Sequence, residues 1–570
     1  MTPAPRDSSS SVTHAASRCA AQAHRWSTAF ATARYAAAAT LLVAGLALQV
    51  AVAADAPSAP VARAGAGAGA GASAVRPAGA QTLRVGVNSF PASLGNPFRG
   101  NGRPGTLVWY ALFDGLTQLD ENGRLVPALA IAWEATGPTT WRFRLRENVR
   151  YANGRPFDAA AAAAVLGWLA SADGRRTVIG NELRVVKSAR AIDARTLELV
   201  TSRPDPILPN RLVGALMVEP DAWARLGPDG FAREPVGTGP FVLERWDQRT
   251  RRIHVRANPH TWRPANFGRI VFVELPDAAV RTQALLSRDV DIAPVEIEEL
   301  DRLRDRGFPV FTAPSMSVMS IAFITERERP SPLQDVRVRR ALNHAVDKEA
   351  IARVLLRGLG RASGQPAPRV AFGHDPALAP YRYDPALARR LLAEAGYPNG
   401  FTLTAEIQIN AIPADSLIYQ SVAHYLRQVG VELTLRVIPF PQYLKKLATN
   451  GWTVEAFGAT WNSAPYNDAM RPMETFSCRR PRPFFCDEPL AEALGAASRI
   501  ADPERRLAAM RGVARGYHDA APALFLVEQI DLYSHRPDLE GVQLRNRVPV
   551  YHRLSLASPT ARRAPPEDPS

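Results

Sequence analysis

Cysteine is nearly absent: the 570-residue chain holds Cys19, Cys478 and Cys486 and no other. No further Cys or His lies beside Cys478 and Cys486, which argues against a structural metal site there. That pair is close enough to close a short disulfide loop in an oxidising compartment, or to remain two free thiols. Catalytic signatures are missing as well. There is no Gly-x-Ser-x-Gly elbow, no His-Glu-x-x-His and no Walker lysine after a glycine loop. An active site assembled from distant, unmarked residues stays open on sequence grounds. The formal charge is +15, yet the basic residues are scattered, with no recognition helix, RNA-binding signature or zinc-finger spacing. A solvated basic surface is expected, not nucleic-acid binding. The 48 prolines argue against long coiled coils, and the length allows two or three domains.

What is present begins with an address. Residues 1–35 carry Arg6, Arg18, Arg25 and Arg34 against the single acid Asp7. An apolar run over 36–54 follows and ends in Ala51-Val52-Ala53-Ala54. These parts compose a secretory signal peptide over 1–54, with cleavage expected near Ala53. The competing reading is an uncleaved anchor, for which the run is barely long enough. Residues 55–80 alternate Ala, Gly and Pro and are expected to form a disordered tether.

Folding is expected to start at the alternation Leu83-Arg84-Val85-Gly86-Val87. Further strands are predicted over 141–145, 196–200, 270–275, 401–409 and 431–437. Helices are predicted over 158–170, 335–346, 348–358, 384–395, 416–429 and 443–447. Asp158, Asp335, Asp347 and Asp384 suit the N-caps, and Gly358 suits a left-handed turn. Strands alternating with helices predict an α/β protein with largely parallel sheets. Gly237-Thr238-Gly239-Pro240 has the form of a turn in which glycine supplies positive φ. Trp133 and Trp141 are expected in the core.

Several ordered blocks carry a resemblance. They are Tyr110-Ala111-Leu112-Phe113-Asp114-Gly115-Leu116, Trp141-Arg142-Phe143-Arg144-Leu145-Arg146, Asn153-Gly154-Arg155-Pro156-Phe157-Asp158, Gly237-Thr238-Gly239-Pro240-Phe241, and the run from Asp335 to Asp347. Across 82–555 the chain resembles the family-5 extracellular solute-binding proteins, which serve oligopeptide, dipeptide and nickel importers. The resemblance implies a two-lobed Venus-flytrap fold of the type II periplasmic-binding-protein kind, with an extra subdomain. Lobe I would span 81–323 with its subdomain, lobe II 324–524 and the return to lobe I 525–560, before a disordered tail over 561–570. The hinge crossings would lie near Phe323 and Phe525. The resemblance further implies a periplasmic monomer with no cofactor and no turnover, which delivers its solute to the permease subunits of an ABC importer.

The ligand turns on Thr460-Trp461-Asn462-Ser463-Ala464-Pro465-Tyr466-Asn467-Asp468. Peptide-binding members carry an acid shortly after the tryptophan that pairs with the peptide α-amine. Here Asn462, Ser463 and Ala464 fill that stretch, and the first acid is Asp468. The string Trp-x-x-Ala-Pro-Tyr resembles the nickel-binding branch, but residues 469–486 contain no histidine. Trp461 and Tyr466 are the candidate cleft aromatics, each alternatively a core residue, with Asn462 beside them. Arg175, Arg176 and Arg471 are candidates for ligand carboxylates, each alternatively a surface arginine. A peptide or peptide-like solute is the expected ligand, with a small metal chelate as the alternative. A secreted hydrolase on the same scaffold is the third reading.

Overall fold

A computed structural model describes residues 81–100, 102–409 and 411–557. The signal peptide, the tether and the C-terminal tail expected from sequence lie outside the described residues. Eleven strands form the main sheet. They are β1 (Thr82–Val87), β2 (Phe241–Asp247), β3 (Arg252–Ala257), β4 (Arg269–Glu274), β5 (Ile292–Pro294), β6 (Val310–Phe323), β7 (Arg361–Ala362), β8 (Phe401–Ile407), β9 (Val431–Val437), β10 (Ala456–Asn462) and β11 (Ala523–His535). Their spatial order is β9-β8-β10-β6-β11-β5-β1-β4-β3-β2, and β7 also pairs with β11.

The sheet is mixed, which corrects the expectation of largely parallel pairing. β1 runs parallel to β4 and β5, and β8 parallel to β9 and β10. The centre is antiparallel, because the long strands β6 and β11 run side by side in opposite directions. At one edge, β2, β3 and β4 form an antiparallel meander. A second, four-stranded antiparallel sheet lies between β1 and β2 in the chain, built from Ala130–Gly137, Thr140–Leu145, Val186–Ala191 and Thr196–Thr201. The helix Ala159–Ala170 packs on it, and this unit is the extra subdomain. Trp133 and Trp141 are half-buried against its core.

Local signals placed the helices well. Asp158 caps Ala159–Ala170 by accepting the Ala161 N–H at 2.9 Å. Asp335, Asp347 and Asp384 cap their helices in the same way, and Gly358 has φ of 73°. Gly237 and Gly239 differ from expectation, since neither has positive φ. A Cβ on them would sit 2.3 and 2.4 Å from the Leu112 backbone, so close chain approach requires these glycines.

One lobe is organised around β1–β4, with Phe143, Phe272 and Tyr533 in a common core. In the other, β6 and β11 are buried on both faces. Val318 and Ala322 of β6 join Ala523 and Phe525 of β11 on one side. Met319 and Ile321 join Leu524 and Leu526 on the opposite side. The β6–β11 ladder is interrupted between Pro314 and Val318. Cys478 and Cys486 are joined by a disulfide. Among the described residues no helix is long and apolar enough to cross a membrane.

Candidate ligand-binding site

The chain leaves β10 at Asn462 and turns through residues 463–471 against the first lobe. Asn462 starts the turn: its Oδ1 accepts the Ala464 N–H at 2.8 Å and faces Ser317 Oγ at 3.3 Å. Ser463 N–H donates to Met316 O at 2.8 Å. Asn467 adopts positive φ, which asparagine tolerates, and its Nδ2 donates to Val370 O and to Gly123 O at 3.0 Å. Asn210 Nδ2 donates to Tyr466 O at 2.9 Å. Arg471 binds Glu182 Oε1 at 2.8 Å and the Asn462 carbonyl at 2.8 Å. One loop is thereby held to Gly123, Glu182 and Asn210 of the first lobe.

The electrostatics of this loop are mostly self-contained. Asp468 pairs with Arg506 at 2.8 Å, both buried, and its other oxygen accepts the Met470 N–H. It is therefore committed to the loop and to Arg506. Arg211 pairs with Asp205 at 2.8 Å and lies 5.0 Å from the centre of the Tyr466 ring. Arg471 approaches the same ring at 5.9 Å. Tyr466 is thus a cation-flanked aromatic, 1% exposed. Ala464 sits in a small apolar cluster with Leu119, Val213 and Met316.

Three polar atoms of this loop are left over. Ser463 Oγ, Tyr466 Oη and Asn467 Oδ1 are buried with no hydrogen-bond partner among the described residues. A buried polar group without a partner costs about 1–3 kcal/mol. Three such groups concentrated on one loop that meets both lobes make it the candidate site.

Trp461 is placed differently. Its side chain is 0% exposed, its ring stacks on Phe476 at 4.1 Å, and Tyr517 and Phe525 close the remaining sides. Its single donor is used on Ser320 Oγ at 3.1 Å. It is a core residue in this structure. Arg175 and Arg176 are exposed on a short 3-10 turn and bond locally, to the Val186 carbonyl and to Asp173. The structure does not bring them to the loop, whereas it brings together Asn462, Tyr466 and Arg471.

Sequence reasoning missed Arg211, Asn210, Glu182 and Met316, which carry no motif and meet the loop through the fold. It also missed a charged knot beside the lobe crossing. There Asp531 of β11 receives Arg103 and both Arg547 Nε at 2.6 Å and Nη2 at 2.9 Å. Burial opposes ionisation of Asp531, but the two guanidinium groups outweigh it and hold its carboxyl below the usual range.

Comparison with known proteins agrees with this architecture. The profile of the bacterial extracellular solute-binding proteins, family 5 middle, matches residues 124–481. The glutathione-binding protein GsiB of Shigella flexneri is 26% identical over 485 residues, covering 81% of this chain and 92% of that protein. The periplasmic binding protein DppA of Helicobacter pylori, solved with the peptide STSA, aligns at a TM-score of 0.72 and 20% identity, over 84% of this chain and 98% of that one. NikZ of Campylobacter jejuni, solved with Ni(L-His), aligns at 0.70 and 20% identity, over 83% and 99%. At such identities the two structures show a shared fold and no more. The profile match spans more than half of the residues and includes the loop described above, and the chain belongs to the family-5 bacterial extracellular solute-binding proteins.

Proposed function

We propose that this protein captures a peptide or peptide-like solute between its lobes and delivers it to the permease subunits of an ABC importer. Residues 1–54 would direct it to the periplasm, and binding would involve no turnover. The observation that carries this reading is the set of buried, unpartnered groups Ser463 Oγ, Tyr466 Oη and Asn467 Oδ1 on a loop that touches both lobes. Closure without a solute leaves these groups unsatisfied, and a polar solute that pairs them favours the closed form. Differential affinity of that kind is what ligand-driven closure requires. We place the hinge at the interrupted β6–β11 ladder, around Pro314–Val318.

The named relative that binds glutathione supports a short peptide-like cargo. The loop itself offers no carboxylate to a peptide amine, since Ala464 is enclosed by Leu119, Val213 and Met316 and Asp468 is engaged by Arg506. Recognition would therefore rest on hydroxyl, amide and guanidinium groups. Native mass spectrometry of protein purified from its host's periplasm tests the proposal. Peptide-sized adducts are expected, and a ligand present at 100 times its Kd should add about 2.7 kcal/mol to stability. A nickel mass with an organic chelator would replace the peptide reading. No adduct, together with no thermal response to a peptide library, would sink it.

A further inference from the structure

Beneath the C-terminal hairpin of the first lobe lies a chamber of about 70 Å³. That is several times the space one water needs. Its polar lining includes Tyr110, Asp114, Gln118, Arg263, Arg545 and His552. Asp114 is already engaged: Thr238 Oγ1 at 2.9 Å, Trp262 Nε1 at 3.0 Å and Arg263 all donate to it. Tyr110 Oη accepts from Asn546 Nδ2. Arg545 makes one long bond, to Gln118 Oε1 at 3.3 Å. Arg263 Nε and Arg545 Nε are buried without any partner among the described residues.

Two arginines thus line the chamber, each with a buried, unpartnered Nε–H, and the single lining carboxylate is already paired with Arg263. The local field is positive. Burial, and then the charges of Arg263, Arg545 and Arg553, push His552 down to about 3, so it lines the chamber as a neutral imidazole. Burial, then Arg553 and Arg263, also lower Arg545, and the more weakly acting acids Glu121 and Asp120 do not offset this. Leu119 and Val213 line the chamber and also belong to the apolar cluster that holds Ala464. The chamber therefore backs directly onto the loop that meets both lobes.

We infer that this chamber is an oxyanion site in which Arg263 and Arg545 hold a carboxylate-sized group. Arginine suits the task because its planar fork donates several N–H groups at fixed geometry. The anion has two sources. It is either a free inorganic oxyanion or the carboxylate end of the captured solute, and the second source rests on the function proposed above.

The test follows the His552 imidazole resonances of the full chain at neutral pH. Sodium sulfate is titrated against sodium chloride at matched ionic strength. A saturable His552 shift specific to sulfate is expected, with binding about tenfold weaker in Arg545→Gln. Arg545→Lys, which keeps the charge and loses the Nε–H, should fall between. Trialanine and its C-terminal amide form the second arm. A His552 response to the free acid and not to the amide assigns the anion to the solute. A response to sulfate with no response to either peptide upholds the site and assigns it to a free inorganic oxyanion. If neither sulfate nor trialanine moves His552 beyond the chloride control, the site is overturned. That comparison needs only the wild-type chain and holds even if a variant fails to fold.

Discussion

Trp461 and Tyr466 are close neighbours in sequence, both aromatic and both buried, yet they stand in opposite kinds of surroundings. Trp461 ends a strand inside a wall of rings, and its one polar group is satisfied. Tyr466 sits on the loop that follows, between two guanidinium groups from different parts of the chain, with its hydroxyl unpaired. The first environment is complete as it stands. The second keeps a buried hydroxyl without a partner among the described residues. Burial therefore does not tell these two aromatics apart, and hydrogen-bond satisfaction does.

Four measurements can break or sharpen that contrast. Trp461→Ala should cost about 3–5 kcal/mol in denaturant unfolding, the usual range for a large aromatic removed from a core. An unchanged midpoint would mean the ring is not structural. Next, replacing Cys478 and Cys486 by serine should cost about 2–3 kcal/mol. That bridge closes the segment that carries Phe484, which packs with Phe476 under the Trp461 ring. A loss confined to ligand affinity would instead tie this segment to the site.

Tyr466→Phe should stabilise the unliganded protein by about 1–3 kcal/mol, because it removes a buried hydroxyl that has no partner among the described residues. Calorimetry with the solute found by mass spectrometry should show about tenfold weaker binding. Equal affinity would remove the hydroxyl from the contact surface. The smallest effect is expected from Arg471→Ala, which breaks the pair with Glu182 across the two lobes. A loss of about 1 kcal/mol is anticipated. Small-angle scattering of the unliganded protein should then show a more open average form, and an unchanged radius of gyration would deny the pair a role in closure.

Legibility in the sequence followed the range of the interactions. Asp158, Asp335, Asp347 and Asp384 announced their helices because a cap is decided within four residues. The mixed sheet was hidden, because β1 meets β4 and β5 across an inserted subdomain that no local pattern reveals. Gly237 and Gly239 looked like turn glycines, while their cause is a distant piece of backbone at Leu112. Asn462, Tyr466 and Arg471 could be proposed from sequence because they lie within ten residues of one another. Arg211 and Glu182 were not, since their meeting with that loop is a product of the tertiary fold. Arg263 lies far before Arg545 and His552 in the chain, and their convergence is beyond pattern reading altogether.

The position of β11 sets a timetable for the nascent chain. It lies at the middle of the main sheet, paired with β6 on one side and β5 on the other, although it is among the last folded segments to be synthesised. Until residues 523–535 emerge, β5 and β6 each expose an unpaired edge, and the apolar faces of both lobes lack their common strand. Open edges of this kind recruit other chains. Distant partners in sequence also slow folding. The polypeptide must therefore be kept from its neighbours until nearly all of it has been made, and a ribosome stalled before residue 523 would leave two half-sheets that cannot close.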